Sequence, residues 1–298
     1  MFDYKLHIFL TVATRSSFSK AAEDLHITQP AITRHIQQLE NHFNQKLFER
    51  KGNSINLTHA GSILLEHCKA LEQMHRTLQF DMNALIDKTE GTLRIAASTT
   101  IAQYILPEVL AKFHKKYPKI NVTLFSANTE RVEKDILGGN ADIGFIEGTV
   151  KNRELAYRVF LKDEIVLVAA QGHPLFNSQA IHINAVKSLP LVLREKGSGS
   201  LEVIINSLKS VSISEVDLKI EMHLGSSESI KSYLKDKESV AFLSINTILD
   251  ELKAGTLGIV DVIDFSINRQ FSYIQQQGHQ ATLSLLFLNF IHFHYNLS

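Results

Sequence analysis

Residues 17–40, SFSKAAEDLHITQPAITRHIQQLE, constrain the fold most tightly. Ala21, Ala22 and Leu25, then Ala31, Ile32, Ile36 and Leu39, recur at three- and four-residue spacing, which predicts two short amphipathic helices. Only His26, Ile27 and Thr28 are left between them, so the connection is a tight turn. Ser19 is the expected N-cap of the first helix, and Pro30 stands near the first position of the second, where its missing N–H is harmless. An earlier helix is expected from Leu6, Phe9, Leu10 and Ala13, ending near Arg15. Two helices across so short a turn make a helix-turn-helix, whose second helix enters the DNA major groove. That second helix carries Gln29, Thr33, Arg34 and Gln37 on the side opposite its apolar stripe. Gln can pair with adenine, Arg with guanine, and a Thr methyl can meet the thymine methyl. Many solvated surface helices carry the same residues, so the pattern alone leaves both readings open.

The next stretch, FNQKLFERKGNSINLT, places Gly52-Asn53 between two extended pieces and predicts a hairpin, a small wing. From Thr58, a plausible N-cap, to about residue 87 the pattern is helical without a breaker after Gly61. Ile63 or Leu64, Leu71, Met74 or Leu78, and Leu85 form a stripe about a heptad apart. A helix of roughly 28 residues is about 42 Å long, and an exposed stripe on it calls for a partner helix. Self-association through this helix is therefore expected.

At Gly91 the texture changes to alternating strands and helices. Strands are expected at 93–98, 122–126, 143–146, 165–170, 191–193, 218–222, 240–243 and 259–262. Helical patterns lie at 107–117, 129–137, 198–209, 226–234 and 281–295. This predicts an α/β unit with mostly parallel strands in two subdomains. The 298-residue length suits two or three domains. Net charge is zero, which excludes a chain that is basic throughout. Between residues 29 and 53, Arg34, Lys46, Arg50 and Lys51 only mildly outnumber Glu40 and Glu49, so charge adds little to the DNA reading.

Cys68 is the only cysteine, which excludes an intramolecular disulfide framework and a Cys-based zinc site; a half-buried helical thiol is expected. No apolar run reaches about 18 residues, and the N-terminus lacks a basic segment followed by a clean apolar core. No membrane span is expected, and the chain reads as cytoplasmic. His35 and His42 lack a carboxylate or cysteine set at ligand spacing, and His292 and His294 read as exposed helix residues. No Ser-His-Asp set, G-x-S-x-G or phosphate-binding Lys loop is present. No catalytic residues, metal or cofactor are expected.

Three Ser/Thr-rich helix starts follow strands in the α/β part: Ser98-Thr99-Thr100, Ser198-Gly199-Ser200 and Ser226-Ser227. Helix N-termini with free N–H groups suit a small oxyanion or carboxylate, although each loop alone could be ordinary capping. Glu147 ends a strand on the same side in a two-lobed reading. A carboxylate there repels an anion unless it or the ligand carries a proton; bisulfite, or a ligand with an amine or hydroxyl, would resolve the conflict. Arg194 either adds positive charge near that cleft or pairs beside Glu195 on the surface.

FSKAAEDLHITQPAITRHIQQLE, KLFER and LTHAG occur in the order and at the spacing of the LysR-type transcriptional regulators, which this chain resembles. GTLRIAAS, ILPEVLAKFHKKYP, ADIGFIEG and GHPL resemble that family's effector domain, so the resemblance covers essentially the whole chain. It implies a winged helix-turn-helix over 1–58, a linker and dimerisation helix over 59–90, and a periplasmic-binding-protein-like effector domain over 91–298. The effector domain would comprise two Rossmann-like subdomains, 91–162 with 267–298, and 163–266. The resemblance also implies a tetramer with two DNA-binding dimers, double-stranded DNA and a small anionic or polar effector as partners, and RNA polymerase as a further candidate. It places Gln29, Pro30, Thr33 and Arg34 at the groove with Gln37 beside them, Ser19 and Thr28 at phosphates, and Arg50 of the wing at backbone or minor groove. Ser98, Thr99, Thr100, Glu147, Ser198, Gly199, Ser226 and Ser227 would line the effector cleft. REKGSGS is similar to the segment of relatives that sense small inorganic or metabolic anions, including regulators of sulfur metabolism and carbon fixation. One departure is Phe43-Asn44 where the family usually has Leu-Gly; Asn is the next most tolerant residue for a left-handed helix terminator. The rival readings are a solute-binding protein or a doubly wound enzyme with an appended helical domain.

Overall fold

The computed structural model describes residues 3–51, 54–84, 90–148, 152–176, 178–278 and 281–295. The chain forms two compact units, one of Met1–Gly91 with Gly138–Asn140 and one of Thr92–Leu137 with Ala141–Ser298.

The N-terminal unit contains α1 (Tyr4–Arg15), α2 (Phe18–Asp24), α3 (Gln29–Phe43), β1 (Phe48–Lys51), β2 (Ser54–Leu57) and α4 (His59–Ala84). The N-cap of α2 is Ser17 rather than Ser19: its Oγ accepts the Lys20 N–H at 3.3 Å. The reason is local, because Ser16 in the left-handed region ends α1 and extended Ser17 starts the next helix at once, which leaves Ser19 in the first turn. His26, at φ 53°, reverses the chain before α3, and Asn44, at φ 49°, terminates α3 as its position requires. Asn44 donates its N–H to the carbonyls of Asn41 and Glu40. β1 and β2 pair antiparallel with Phe48 opposite Leu57. The expected Gly52-Asn53 turn and Leu85 of the expected stripe lie outside the described residues.

Ile8, Phe9, Val12, Ala21, Ala22, Ile32, Ile36, Leu39, Leu47 and Cys68 build one core under these elements. Cys68 is fully buried rather than half-buried, because its side of α4 packs on α1. Burial, then Glu72 and Asp3, push its thiol up to about 11, so it is an inert thiol. Thr58 Oγ1 accepts the Gly61 N–H at 3.0 Å and so caps α4. A Cβ at Gly61 would lie 2.1 Å from the Leu47 carbonyl oxygen, so this turn of α4 needs glycine to lie against the root of the wing. Beyond that root α4 leaves Leu71, Met74, Leu78 and Met82 between 46% and 60% exposed.

The C-terminal unit runs β3 (Gly91–Ser98), α5 (Leu106–Lys116), β4 (Ile120–Ala127), α6 (Thr129–Leu137), β5 (Ile143–Glu147) and β6 (Leu155–Ala170). It continues with β7 (Ile181–His182), β8 (Leu191–Arg194), α7 (Gly199–Ser210), β9 (Ile220–Leu224), α8 (Ser227–Tyr233), β10 (Val240–Ser244) and α9 (Leu249–Ala254). It closes with β11 (Leu257–Ile259), β12 (Val262–Ile263), β13 (Ile267–Gln276) and α10 (Thr282–His294). One sheet has the order β4-β3-β5-β13-β6-β10-β8-β9, with β11 also on β6, while β7 pairs with β12.

The sheet is mixed rather than mostly parallel. β3 and β5 pair parallel, as do β10 with β8 and β8 with β9. β13, however, runs antiparallel to both β5 and β6, and β6 antiparallel to β10. β6 and β13 thus divide the sheet into a first lobe on the β5 side and a second on the β10 side. Expected strand 165–170 is only the end of the 16-residue β6, and β13 had no sequence counterpart. Expected strand 218–222 lies two residues later, as β9, and 259–262 is split between β11 and β12.

Each lobe is layered. In the second lobe Leu191, Leu193, Val240 and Phe242 meet Ile204 and Leu208 of α7 on one face. Val192, Ala241 and Leu243 meet Ile230, Leu234 and Ile248 on the other. In the first lobe Ala96, Ile146 and Ile274 pack on Val132 and Ile136 of α6, and Phe113 and Phe145 pack edge-on against Phe287 of α10. Strands covered on both faces read as continuous apolar runs, which is why these were legible.

Candidate functional site: a DNA-reading face and an interlobe junction

In α3, Ile32, Ile36 and Leu39 are buried against the neighbouring helices, while Gln29, Pro30, Arg34 and Gln37 are exposed and Thr33 is half-buried. Thr33 Oγ1 donates to the Gln29 carbonyl at 3.1 Å, which engages the hydroxyl and leaves the methyl as the free group. Gln29, Thr33 and Gln37 share a groove of about 400 Å³ with Ser17, Ser19 and Lys46. Thr28 holds the N-cap position of α3 without a side-chain capping bond, so its hydroxyl is not engaged by the helix. Arg50 lies in β1 opposite Ile55; its side chain is outside the described residues. Glu40, which sequence reasoning treated only as a charge, is buried and accepts from the Leu47 N–H at 3.0 Å and from Lys46 Nζ at 2.6 Å. It ties the wing root to α3.

In the second unit, Ser98 ends β3, and Thr99 and Thr100 lead into a π-helical turn at Ile101–Ile105. Glu147 ends β5, and Ser198 holds the N-cap position of α7, followed by Gly199 and Ser200. The fold brings these segments together where the lobes meet. Ser200 Oγ donates to Glu147 Oε2 at 2.8 Å, and Thr129 Oγ1 donates to the Glu147 carbonyl at 3.0 Å. A Cβ at Gly199 would lie 2.0 Å from that carbonyl oxygen, so Gly199 permits the close approach of α7 to β5. Ser226 Oγ accepts the Ser229 N–H at 3.1 Å and is engaged in capping α8, and Ser227 is buried in its first turn.

Two arginines complete the junction, and one of them had no sequence signal. Arg194 is almost wholly buried; its Nη2 donates to Thr99 Oγ1 at 2.8 Å and to the Gly225 carbonyl at 3.3 Å, and its Nε to Glu195 at 2.9 Å. Arg194 thus pairs with Glu195 in the interior rather than on the surface, and its guanidinium lies at the interlobe junction. Arg269 of β13 bonds Glu147 and Ser200 through Nη1 and Asp163 through Nε. Glu147 is therefore not an unpaired carboxylate that repels anions. Burial opposes its charged form, but Arg269, Arg194 and the Ser200 hydroxyl outweigh burial and hold its pKa below the ordinary carboxylate value.

Four buried polar atoms at this junction make no hydrogen bond of regular geometry among the described residues: Ser98 Oγ, Ser198 Oγ, Arg194 Nη1 and Arg269 Nη2; of these, Ser98 is close enough to Glu147 to help hold its charge. Buried polar groups are overwhelmingly satisfied in folded proteins, so such a set calls for acceptors that the described residues do not supply. At the C-terminus, His292 and His294 are half-buried rather than exposed, because their rings lie against Tyr273 and Tyr295. Among the described residues no group of three or more His, Cys, Asp or Glu could hold a metal ion, and no helix is long and apolar enough to cross a membrane.

A family model described as the LysR substrate binding domain matches residues 87–294, and one described as the bacterial regulatory helix-turn-helix protein, lysR family, matches residues 4–62. The chain is 33% identical over 269 residues to the HTH-type transcriptional regulator CysL of Bacillus subtilis (strain 168), covering 90% of this chain and 89% of that one. It is 28% identical to the HTH-type transcriptional activator CmpR of Synechocystis sp., covering 98% and 95%. Among solved structures, the Synechocystis CcmR regulatory domain in complex with 2-PG is 28% identical with a TM-score of 0.62, covering 67% of this chain and 95% of that one. Full-length CbnR complexed with target DNA shares the fold, with a TM-score of 0.68 at 20% identity over 96% of this chain and 97% of that one. With a helix-turn-helix in one unit, a two-lobed α/β fold in the other and both family models matched in chain order, the protein belongs to the LysR family of DNA-binding transcriptional regulators controlled by a small ligand, and is not an enzyme.

Proposed function

We propose that this regulator binds a small oxyanion or carboxylate between its two α/β lobes and reads a pseudo-palindromic DNA site through paired copies of α3. The observation that carries the ligand reading is the set of four unpartnered donors on Ser98, Ser198, Arg194 and Arg269. All four can donate, and the nearby Glu147 is already engaged by Arg269 and Ser200, so the group that fits is rich in acceptors. Thr99 and Thr100 flank it, Glu147 and Gly199 hold the lobes at the right separation, and Ser226 and Ser227 position the loop whose Gly225 carbonyl receives Arg194. The complex of CcmR with 2-PG lends support from a relative.

For DNA, Gln29, Pro30, Thr33, Arg34 and Gln37 meet base edges, Ser19 and Thr28 meet phosphates, and Arg50 of the wing meets backbone. The exposed stripe of α4 joins two chains, and the dimers pair into a cytoplasmic tetramer that contacts RNA polymerase. Domains follow the same division: 1–58 reads DNA, 59–90 dimerises and 91–298 senses the effector. A thermal-shift screen of sulfate, phosphate, small carboxylates and 2-PG tests the ligand reading, with wild type and Ser98→Ala side by side. Stabilisation of wild type that shrinks in the variant is expected. No anion that raises Tm, or equal shifts in both proteins, would exclude the oxyanion reading. A gel shift on the chain's own upstream DNA tests the other half; no sequence preference at any salt concentration would sink it.

A further inference from the structure

Tyr104 lies in the π-helical turn of the first lobe, five residues after Thr99. A π-helical segment is rare, and such segments concentrate at functional places. Its hydroxyl donates to the Glu228 carboxylate of α8, in the second lobe. The Glu228 end is held in turn by Lys231, whose Nζ lies 2.7 Å from Glu228 Oε1, 2.8 Å from Glu251 Oε1 and 3.0 Å from the Thr247 carbonyl. The same ammonium sits 5.2 Å from the Tyr104 ring centroid. The Lys231 side chain is only 9% exposed, so this is a placed cation rather than a surface lysine.

The charge states suit the geometry. Burial and the bond to Glu228 push the Tyr104 phenol up to about 12, which keeps it a donor. Lys231 and Tyr104 outweigh burial and lower the pKa of Glu228, which keeps it an acceptor. None of these groups belongs to the set of unpartnered donors, so ligand contact does not explain them. What the cluster joins is the two lobes, through the same two segments that Arg194 bridges at Thr99 and Gly225.

We infer that Tyr104, Glu228 and Lys231 form a latch that holds the lobes closed and makes Tyr104 a positioning residue for effector capture. The inference rests on the reading that the effector binds between the lobes. A ligand that needs both lobes binds the closed form, so its apparent affinity scales with the fraction closed. The Glu228 side chain is 56% exposed, so its bond to Tyr104 corresponds to about a two- to five-fold change in the closed-to-open ratio.

Spin labels at Lys115→Cys and Asp250→Cys, both exposed and one in each lobe, report the separation of the lobes in the full-length protein. Cys68 is buried and stays unlabelled, and dilution with unlabelled chain removes distances between copies. Without ligand, Tyr104→Phe and Glu228→Gln are expected to move weight to longer distances, and the double variant to go no further than Glu228→Gln. Sulfate, as the probe, is expected to bind Tyr104→Phe about two- to five-fold more weakly than wild type. Coincident ligand-free distributions in wild type and Tyr104→Phe, or additive effects in the double variant, would overturn the latch. Failure of sulfate and 2-PG to bind any of these proteins would remove the effector-site reading alone, because the ligand-free distances still decide the latch.

Discussion

Arg269 Nε donates to Asp163 Oδ2 at 2.6 Å, with side-chain exposures of 2% and 0%. The two residues sit on β13 and β6, the strands that pass between the lobes, and Arg269 reaches Glu147 through Nη1. One buried cation therefore serves two buried carboxylates. Asp163 is satisfied further by the Ser244 hydroxyl and the Asn246 amide, both at 2.7 Å.

Removing that cation takes the bonded charge from both carboxylates and leaves Arg194 as the remaining cation near Glu147. Arg269→Met is expected to lose about 3–5 kcal/mol of stability at pH 7, read by urea denaturation. In wild type the folded-state pKa of Glu147 is lowered, so its contribution is complete above the unfolded value of about 4.3 and is lost as pH falls through the lower folded value. In Arg269→Met that acid loss moves to higher pH. An unchanged acid limb would show that Arg269 does not hold the charge on Glu147.

Gly199→Ala places a methyl 2.0 Å from the Glu147 carbonyl oxygen and 2.7 Å from Thr129 Oγ1. The obstructing carbonyl is backbone, so α7 and β5 must part. A loss of about 1–3 kcal/mol is expected, together with weaker binding of any ligand that stabilises wild type. An unaltered Tm and ligand response would show that the approach is not needed.

On DNA, Arg34→Ala is expected to lose about 1–3 kcal/mol of discrimination at one base position, while Arg50→Ala weakens operator and random sequence alike and reduces the salt slope by about one. Titrations at several salt concentrations on both DNAs separate the two. Equal losses on both DNAs for both variants would contradict the assignment.

The exposed stripe of α4 yields a prediction about assembly. Leu71→Asp with Leu78→Asp is expected to break the pairing through α4 and give a smaller species than wild type in sedimentation velocity, without unfolding the N-terminal unit, whose core these side chains do not enter. Unchanged sedimentation would move the dimer interface elsewhere.

β6 and β13 show where sequence reading stops. In INRQFSYIQQ the alternation of apolar and polar residues is broken by Arg269, which occupies an inward position, and in LAYRVFLKDE Asp163 does the same. Each residue looks like a surface charge until its partner is known, and that partner is 106 positions away. Each thus hides the strand that carries it. The Ser/Thr-rich loops were readable one by one, but nothing in Ser226 distinguishes a hydroxyl engaged in capping from one that is unpartnered, as in Ser98.

Local spacing by itself determined the helix-turn-helix, the outward set on α3, the long helix after Thr58 and the layered α/β texture, because periodicity and caps act within a few residues. Tertiary structure alone decided that Glu147 is neutralised, that Arg194 and Arg269 face the interlobe junction, and that Tyr104 meets Glu228. Those outcomes depend on burial and on charges that meet across 95 to 124 positions of chain, where no spacing rule reaches.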